Sequence, residues 1–238
     1  MERINEKMPQ ISVVIPTLNA GCGLAEALAA LVPAALDGLV REVIVADGGS
    51  TDETLAITDD AGARLIGGEK GRGAQLARGA AAARGDWLLF LHADTVLEAC
   101  WASEARAFID AGHDERAAVY SLAFDDEGFG ARMVAAGAMI RTRLLCSPYG
   151  DQGLLISRGH YDAVGGYCDM PLFEDVDIVD RIIRRGGRKA IAVLPAKAVT
   201  SPVRYRRDGY AARVARNFWC LALYRLGVAP ENIIATYK

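Results

Sequence analysis

Acidic residues follow two strand-like segments of this sequence, at the point where each segment ends. Asp47 closes the run that begins at Glu42, and Asp94 follows the apolar run that begins at Trp87. Short apolar runs of this kind are typical of strands buried on both faces, and open α/β sheets bind ligands at the carboxyl ends of such strands. We therefore expect both carboxylates at one edge of a sheet, where they would serve a metal ion and a phosphorylated ligand.

Asp94 is the predicted metal ligand. Hard divalent cations such as Mg²⁺ or Mn²⁺ bind carboxylate oxygens together with the oxygens of a diphosphate. His92 is a second candidate ligand, although a histidine at the end of a buried strand is more often packed and hydrogen-bonded. The residue types therefore favour Asp94 alone as the protein ligand.

The loops after the first two strands offer polar groups to a nucleotide. The segment Pro16-Thr17-Leu18-Asn19 follows strand one, and taken alone it is typical of a turn. Asp47 precedes two glycines, and its carboxylate could accept hydrogen bonds from a nucleobase N–H or a ribose hydroxyl. Ser50 and Glu53 have the spacing of a capping box, which accounts for both residues without a ligand.

A glycine loop enters a helix between Lys70 and Gln75. Basic side chains such as Arg72 at the amino terminus of a helix favour a phosphate or nucleotide contact. A solvated turn with basic residues has about equal weight, because an isolated G-x-G is weak support for a nucleotide site.

Acidic residues in the second half are candidates for acting on an acceptor. Four acids lie in the seven residues from Glu174 to Asp180, and two of them have arginine partners four residues later. Glu174 and Asp175 remain, and either carboxylate could act as a general base toward a hydroxyl. Asp151 and Gln152 precede a short strand, where they form a plain turn or point into an acceptor cleft.

An α/β fold is needed to bring these residues together. Strands and Ala- and Leu-rich helices alternate through the first half, which predicts a mainly parallel central sheet with right-handed crossovers and helices on both faces. The predicted strands are Ile11–Ile15, Val43–Ala46, Arg64–Ile66, Trp87–Leu91, Val119–Leu122, Leu154–Ile156 and Ala190–Val193. The predicted helices are Leu24–Leu31, Thr54–Ala61, Ala74–Ala83, Trp101–Ala111, Gly130–Leu145, Glu174–Arg185 and Gly209–Leu226.

Length and composition indicate one domain over residues 1–238, with a nucleotide-binding half at about 11–125 and an acceptor-side half at about 126–238. The net charge of −3 gives no overall attraction to nucleic acid. Met1 to Gln10 lacks the apolar segment of a secretory signal and is expected to be a frayed arm. Five dispersed cysteines argue against a disulfide framework or a zinc site and favour the cytoplasm.

The helix near the carboxyl terminus combines basic and aromatic residues. Arg213 and Arg216 accompany Phe218 and Trp219. Such a helix usually packs against the protein with one solvated face, but a basic amphipathic helix can also lie on an anionic membrane. Peripheral contact with the inner face of the membrane is therefore an open expectation.

Five motifs in this order resemble the family-2 glycosyltransferases of the GT-A fold. They are Ile-Pro16-Thr-Leu-Asn19, Val-Ala-Asp47-Gly-Gly-Ser-Thr-Asp52, Gly71-Arg-Gly-Ala-Gln75, Leu-His92-Ala-Asp94-Thr and Phe-Glu174-Asp175-Val-Asp177. The resemblance spans nearly the whole chain. The histidine motif, Pro148-Tyr-Gly-Asp-Gln-Gly153 and Tyr224-Arg-Leu-Gly-Val-Ala-Pro230 resemble, more narrowly, small transferases associated with radical-SAM/selenodomain or arsenosugar gene clusters.

The resemblance implies a nucleotide-diphosphate sugar donor, a divalent metal ion, a hydroxyl acceptor and inversion at the anomeric carbon. Carried over by position, a donor-binding set would cradle the nucleotide, Asp94 would hold the metal ion, and Asp175 would be the catalytic base with Glu174 as its substitute. The donor-binding set consists of Pro16, Thr17, Asn19, Asp47, Arg72 and Gln75. Asp151 and Gln152 would lie on the acceptor side.

The sequence departs from the family pattern in two places. His92 stands where many relatives have the first acid of D-x-D, which bears on the choice between Mn²⁺ and Mg²⁺ because imidazole disfavours Mg²⁺. The Q-x-x-R-W pattern of processive enzymes is absent, which favours transfer of single sugars.

Two other functions compete with sugar transfer. A sugar nucleotidyltransferase would share a sheet with acids at its edge, but the basic glycine loop expected directly after strand one is missing. A nucleotide-sugar-binding scaffold without turnover would not need the acids at positions 94, 174 and 175. A nicotinamide dehydrogenase is excluded, because no G-x-G-x-x-G follows the first strand.

Overall fold

The computed structural model describes residues 10–237. The predicted amino-terminal arm, apart from Gln10, lies outside the described residues. Within residues 10–237 the strands are β1 Ile11–Thr17, β2 Val40–Asp47, β3 Arg64–Gly67, β4 Trp87–Phe90, β5 Thr95–Leu97, β6 Ala117–Phe124, β7 Leu154–Ser157 and β8 Ile191–Thr200.

Helices connect these strands and follow the last one. Over the same residues they are α1 Gly21–Ala29, α2 Val32–Leu36, α3 Thr54–Asp60, α4 Arg72–Ala82, α5 Trp101–Asp110, α6 Phe129–Leu145, α7 Arg158–Ala163, α8 Glu174–Gly186, α9 Val203–Asp208, α10 Tyr210–Arg225 and α11 Pro230–Tyr237. Short 3₁₀ turns occur at Gly150–Gln152 and Arg188–Ala190.

The strands form one sheet in the order β3-β2-β1-β4-β7-β6-β8-β5. β1 pairs in parallel with β2 and β4, β2 pairs in parallel with β3, and β6 pairs in parallel with β8. β7 is antiparallel to β4 and β6, and β5 is antiparallel to β8. The prediction of a mainly parallel sheet in an α/β fold is confirmed.

Helices cover both faces of the sheet, as the alternating order predicts. Side chains alternate along a strand, so Val13 and Ile15 of β1 face a core layer formed with α1, α2 and α5, whereas Val14 faces a layer formed with α4, α7 and α8. None of the described helices combines the length and the apolar character needed to cross a membrane.

β8 is much longer than its predicted counterpart, Ala190–Val193. The predicted strand ended at Val193, two residues before Pro195, and a proline in a strand interior normally marks an edge or a bulge. The register between β6 and β8 shifts between Tyr120, paired with Leu194, and Ser121, paired with Lys197. The proline therefore sits in a bulge, and the strand continues to Thr200, which delivers the following loop to the edge of the sheet where β4 ends.

Candidate active site

The Asp47 carboxylate organises the loops after β1 and β2. Its Oδ1 accepts hydrogen bonds from Thr17 Oγ1 at 2.9 Å and Ser50 Oγ at 2.5 Å, and its Oδ2 accepts from the backbone N–H groups of Gly49 and Ser50 at 2.7 and 2.8 Å. Burial alone would raise the pKa of the Asp47 carboxyl, but these hydrogen bonds outweigh it and hold the pKa below its usual value. Asp47 thus stays ionised while it fixes the loop.

Asn19 joins the same network. Its backbone N–H donates to Ser50 Oγ at 2.8 Å, and its Oδ1 accepts from the backbone N–H of Thr51 at 2.9 Å. The predicted capping box between Ser50 and Glu53 is wrong, because the Ser50 hydroxyl is engaged by Asp47 and Asn19 and α3 begins at Thr54 without a side-chain cap. The two loops form one connected polar wall.

Gln75 holds this wall to α4. Its Nε2 donates to the backbone oxygens of Thr17 and Ala46, both at 2.7 Å, and its Oε1 accepts from Gly71 N at 3.3 Å. The side chain is buried. The Gln75 amide, predicted to contact a nucleotide, is therefore engaged in holding the loops after β1 and β2.

Asp94 lies just beyond β4 with its side chain exposed. Its backbone oxygen accepts from Ser201 N at 3.2 Å, and α1 approaches so closely that a Cβ at Gly23 would lie 3.1 Å from Asp94 Cα. Among residues 10–237, no three His, Cys, Asp or Glu side chains form a cluster that could hold a metal ion by themselves. An exposed single carboxylate fits a cation whose other ligands come from a bound phosphate or water.

Asp175 lies in the first turn of α8. The residue directly before this helix, Phe173, has a left-handed backbone conformation (φ 66°). Asp175 Oδ2 accepts from the backbone N–H of Gly150 at 2.7 Å, and Asp175 Oδ1 accepts from Val176 N at 2.8 Å. These two donors fix the carboxylate at the start of the helix and tie it to the 3₁₀ turn that precedes β7.

His92 borders the same glycine. A Cβ added to Gly150 would lie 2.7 Å from His92 Nε2 and 3.3 Å from Asp175 Oδ2. Burial lowers the pKa of His92 to about 3, with further lowering by the positive charges of Arg72 and Arg204. The imidazole is therefore neutral near pH 7, and it offers one N–H donor and one nitrogen acceptor.

Glu174 is buried, and it forms an ion pair with Arg72 at the start of α4. Its Oε2 has no hydrogen-bond partner within the described chain. Burial raises the pKa of Glu174 to about 7; Arg72 opposes this shift and the Asp175 charge adds to it. The predicted donor contact of Arg72 has to compete with this ion pair.

Asp151 lies in the 3₁₀ turn between Gly150 and Gln152, and its Oδ1 is buried without a hydrogen-bond partner in the described residues. Burial raises the pKa of Asp151 to about 6; Arg141 opposes this shift, and the charges of Asp175 and Asp94 add to it. The turn that carries Asp151 also meets Asp175 and His92 at Gly150, and the charges of Asp94 and Asp175 both act on Asp151.

The Gln152 side chain has other partners. Its side chain is fully buried, its Nε2 donates to Tyr120 O at 3.0 Å, and its Oε1 accepts from Thr142 Oγ1 at 2.8 Å. The prediction that Gln152 points into an acceptor cleft is therefore wrong, because its amide joins α6 to β6.

Two arginines near the site were not predicted as functional residues. Arg141 stacks over the Tyr149 ring at 3.4 Å, and its Nη2 is buried without a partner in the described part of the chain. Arg204 follows β8 and contributes to the low pKa of His92. The sequence signal for Arg204 was hidden by the underestimated length of β8, and Arg141 has no distinctive local motif.

The arrangement supports two kinds of chemistry at one edge of the sheet. An exposed carboxylate, Asp94, can bind a cation, and a fixed carboxylate, Asp175, can accept a proton from a hydroxyl within hydrogen-bond reach. Arg72 and Arg204 lie close enough to influence His92 and could balance negative charge on a phosphorylated ligand.

Comparison with known proteins finds similarity to glycosyltransferases. The family model described as glycosyl transferase family 2 matches residues 12–145. The chain is 41% identical over 115 residues to a PGL/p-HBAD biosynthesis glycosyltransferase of Mycobacterium tuberculosis, a match that covers 42% of this chain and 42% of the relative. It is 38% identical over 95 residues to a glucosyl-3-phosphoglycerate synthase of Mycolicibacterium paratuberculosis, covering 36% of this chain and 29% of that protein.

Solved structures match over most of the chain. Glucosyl-3-phosphoglycerate synthase from Mycobacterium tuberculosis, in complex with phosphoglyceric acid, superposes with a TM-score of 0.65 at 23% identity and covers 92% of this chain and 81% of its own. The same enzyme in complex with Mn²⁺, UDP and glucosyl-3-phosphoglycerate gives a TM-score of 0.62 at 22% identity over 96% of this chain and 87% of its own. At these identities the likeness establishes the fold.

Proposed function

Because the chain belongs to glycosyl transferase family 2 and has the GT-A fold, we propose that it transfers one sugar from a nucleotide-diphosphate sugar to a hydroxyl acceptor, with inversion at the anomeric carbon. The observation that carries the proposal is the meeting of the segment after β4 with the start of α8 at Gly150, where an added Cβ would lie 2.7 Å from His92 Nε2 and 3.3 Å from Asp175 Oδ2. A leaving diphosphate near Asp94 and an acceptor hydroxyl near Asp175 would then share one cleft.

The donor is proposed to lie against the wall formed by the loops after β1 and β2. Pro16, Thr17 and Asn19 shape this wall, and Asp47 fixes it. The crystal structures of the related glucosyl-3-phosphoglycerate synthase contain Mn²⁺ and UDP or UDP-glucose, so a UDP-sugar is the first donor to test.

Asp94 is proposed to hold the divalent ion, Mn²⁺ or Mg²⁺. When bound, such an ion neutralises charge on the oxygens of the departing diphosphate. Arg204 would add positive charge beside the ion. The guanidinium nitrogens of Arg72 that do not contact Glu174 would do the same. Asp175 would accept the proton of the acceptor hydroxyl, and Asp151 would bind a hydroxyl of the acceptor through its unpartnered Oδ1.

Single-turnover transfer with Asp175→Asn tests the base. We expect the rate of the chemical step to fall by about 10²–10⁴-fold, the usual contribution of a positioned general base, with donor binding unchanged. Asp177→Asn is the matched control, because Asp177 lies in the same helical turn but pairs with Arg181. Full activity of Asp175→Asn would remove Asp175 from this role and leave Glu174 as the substitute.

Thermal-shift titration with UDP-, GDP-, ADP- and dTDP-sugars tests donor and metal together. A ligand that binds only the folded chain raises its melting temperature. At a ligand concentration of one hundred times Kd, the free energy of unfolding increases by about 2.7 kcal/mol. We expect one donor class to stabilise the chain, with an added effect of Mn²⁺ that Asp94→Asn removes. Stabilisation without hydrolysis or transfer, over a broad panel of acceptors, would contradict the catalytic proposal.

We further propose a cytoplasmic location, supported by the free thiols of all five cysteines. The arginines of α10 were expected to contact an anionic membrane, and the structure gives these arginines other partners. Arg213 is buried, and it pairs with Asp208 as Arg216 does, while Arg225 pairs with Asp180. The arginines of α10 therefore serve contacts within the chain.

A further inference from the structure

The outward face of α6 carries large apolar side chains on one narrow stripe. Phe129, Met133, Ile140 and Leu144 are all exposed, from 55% for Met133 to 80% for Phe129. At 3.6 residues per turn their spacing places them within an arc of about 60°. An apolar stripe of this kind normally faces the core of a protein, and here it faces outward.

The opposite face of α6 is already packed. Ala131 and Ala138 are buried in a cluster with Leu122 and Phe124 of β6, and Thr142 is hydrogen-bonded to Gln152. The helix therefore has a satisfied inner face, and its outer stripe is a second apolar surface.

α10 packs beside α6 and also exposes large apolar side chains, Phe218 and Trp219. The beginnings of the two helices lie in contact, since a Cβ at Gly130 would be 2.9 Å from Tyr210 Cδ2. We call the exposed apolar side chains of the two helices the docking face; they are Phe129, Met133, Ile140, Leu144, Phe218 and Trp219.

Arginines flank the apolar stripe of α6. Residues 129–149 contain three arginines and no acidic residue, whereas the exposed acids Asp125 and Glu127 lie before the first residue of the helix. Arg132 and Arg143 are exposed and lie about 40–60° to one side of the stripe on α6. Neither forms an ion pair within residues 10–237, in contrast to the arginines of α10.

We propose that the docking face lies on a bilayer that contains anionic phospholipids, with the apolar side chains among the acyl chains and Arg132 and Arg143 at the headgroups. A helix with apolar and aromatic residues on one side and arginines along the flank has the composition of an interfacial helix. A two-fold pair of chains would bring Arg132 and Arg143 of one copy near those of the other, whereas anionic headgroups supply the opposite charge. The bilayer is therefore the occupant that the charges favour.

Trp219 provides a built-in probe of this contact. It is 58% exposed, whereas Trp87 and Trp101 are each 2% exposed, and the chain has three tryptophans in all. Vesicles of phosphatidylcholine with phosphatidylglycerol are expected to bind the chain and shift the Trp219 emission to shorter wavelength. Vesicles of phosphatidylcholine alone are expected to bind much more weakly, and added salt should release the chain from the anionic vesicles.

Two variants separate the apolar and the basic parts. Ile140→Ser is expected to weaken partitioning about ten-fold, as one large apolar side chain no longer enters the bilayer. Arg132→Gln together with Arg143→Gln is expected to weaken binding to anionic vesicles about thirty-fold, because each charge near the surface contributes about 1 kcal/mol. Leu36→Ser is the matched control, since Leu36 is an exposed leucine on α2, outside the docking face.

Other results would overturn the proposal. These are the absence of an emission shift with anionic vesicles, equal binding to neutral and anionic vesicles, or a stable dimer that Ile140→Ser dissociates. Asp175→Asn should bind vesicles like the unmodified chain, so a failure of the membrane proposal and a failure of the sugar-transfer proposal are distinguishable.

Discussion

The acids of the candidate site differ in how each carboxyl is surrounded. Asp94 is exposed, Asp175 accepts two backbone hydrogen bonds, and Asp151 and Glu174 each have a buried oxygen without a hydrogen-bond partner in the described chain. Burial raises the pKa of the last two. These two residues therefore couple the protonation of the site to the stability of the fold.

Asp151→Asn is expected to change how stability depends on pH. The folded chain holds the Asp151 proton more tightly than the unfolded chain. The protonated carboxyl therefore adds to the free energy of unfolding below pH 3.8, and this added stability is lost as the pH rises to about 6. As the pH rises from 3.8 to about 6, the melting temperature of the variant should therefore increase relative to that of the unmodified chain. In a chain of this size, each 1 kcal/mol of lost stability corresponds to about 2–4 °C.

Thermal melts at a series of pH values measure this difference. Asp59→Asn, at an exposed position on α3, is the control and should show no such trend. A melting difference between Asp151→Asn and the unmodified chain that does not vary with pH would contradict the prediction.

Single residues were predictable where a local pattern places them. Asp94 lies beyond the end of a buried apolar run and Asp175 at a helix start, and both positions follow from the sequence. Gln75 and Gln152 were assigned to ligands, yet their partners come from strands and helices far away along the chain. No local pattern specifies such contacts, since an amide side chain is equally suited to a ligand and to a backbone carbonyl.

Among the elements, α4 and α8 are joined by an ion pair. Arg72 of α4 pairs with Glu174 of α8, and α4 also approaches the loop before α8 so closely that a Cβ at Gly73 would lie 2.1 Å from the backbone oxygen of Cys168. This contact connects α4, which Gln75 joins to the loops after β1 and β2, to the helix that carries Asp175.

Gly73→Ala is expected to destabilise the fold by about 1–3 kcal/mol, the usual cost of overpacking, because backbone atoms must move apart. Gly137→Ala is the matched control within α6, where an added Cβ meets nothing within 4 Å. It should stabilise the chain by about 0.5–1 kcal/mol through helix propensity. Urea denaturation of both variants measures the difference, and equal effects would contradict the close approach.

The ion pair between Arg72 and Glu174 is expected to show a large coupling energy. Arg72→Met should cost about 3–5 kcal/mol, because it leaves the buried Glu174 without its cation, and Glu174→Gln in the same chain should recover much of this loss. The exposed pair of Lys197 and Glu98 is the control, with a coupling energy of less than about 1 kcal/mol. Equal coupling in the two double-mutant cycles would argue against a structural role for the buried pair.

Elements with long apolar runs or strong helical composition were predicted from the sequence to within a few residues. The exceptions are short elements such as β5 and α7, which are too brief for periodicity to show. β8 was predicted too short, ending at Val193, and only the pairing with β6 shows that Pro195 occupies a bulge and that the strand continues beyond it.

At the scale of the whole molecule, the two predicted halves share one sheet. β7, from the acceptor-side half, lies between β4 and β6 of the nucleotide-binding half, and β8 pairs with β6. Alternating strands and helices predict the α/β class, but this strand order depends on pairings between distant segments. The single domain over residues 1–238 stays a prediction, and the sheet supports it.

We expect the chain to unfold in a single cooperative transition. A fragment that ends at residue 125 would leave β6 without β7 and β8, and it should not fold on its own. Circular dichroism and tryptophan fluorescence recorded over the same denaturant series should give coincident curves for the full chain. Separate transitions, or a folded fragment, would show that the halves are independent.

The crowding at Gly150 has a consequence for how such a sequence can change over generations. A side chain at position 150 would meet the imidazole of His92 at 2.7 Å and the carboxylate of Asp175 at 3.3 Å. A side chain at position 150 therefore requires the imidazole to shift, unless a smaller residue has already replaced the histidine. The histidine in place of an acid thus restricts the order in which descendants of this chain can accumulate substitutions.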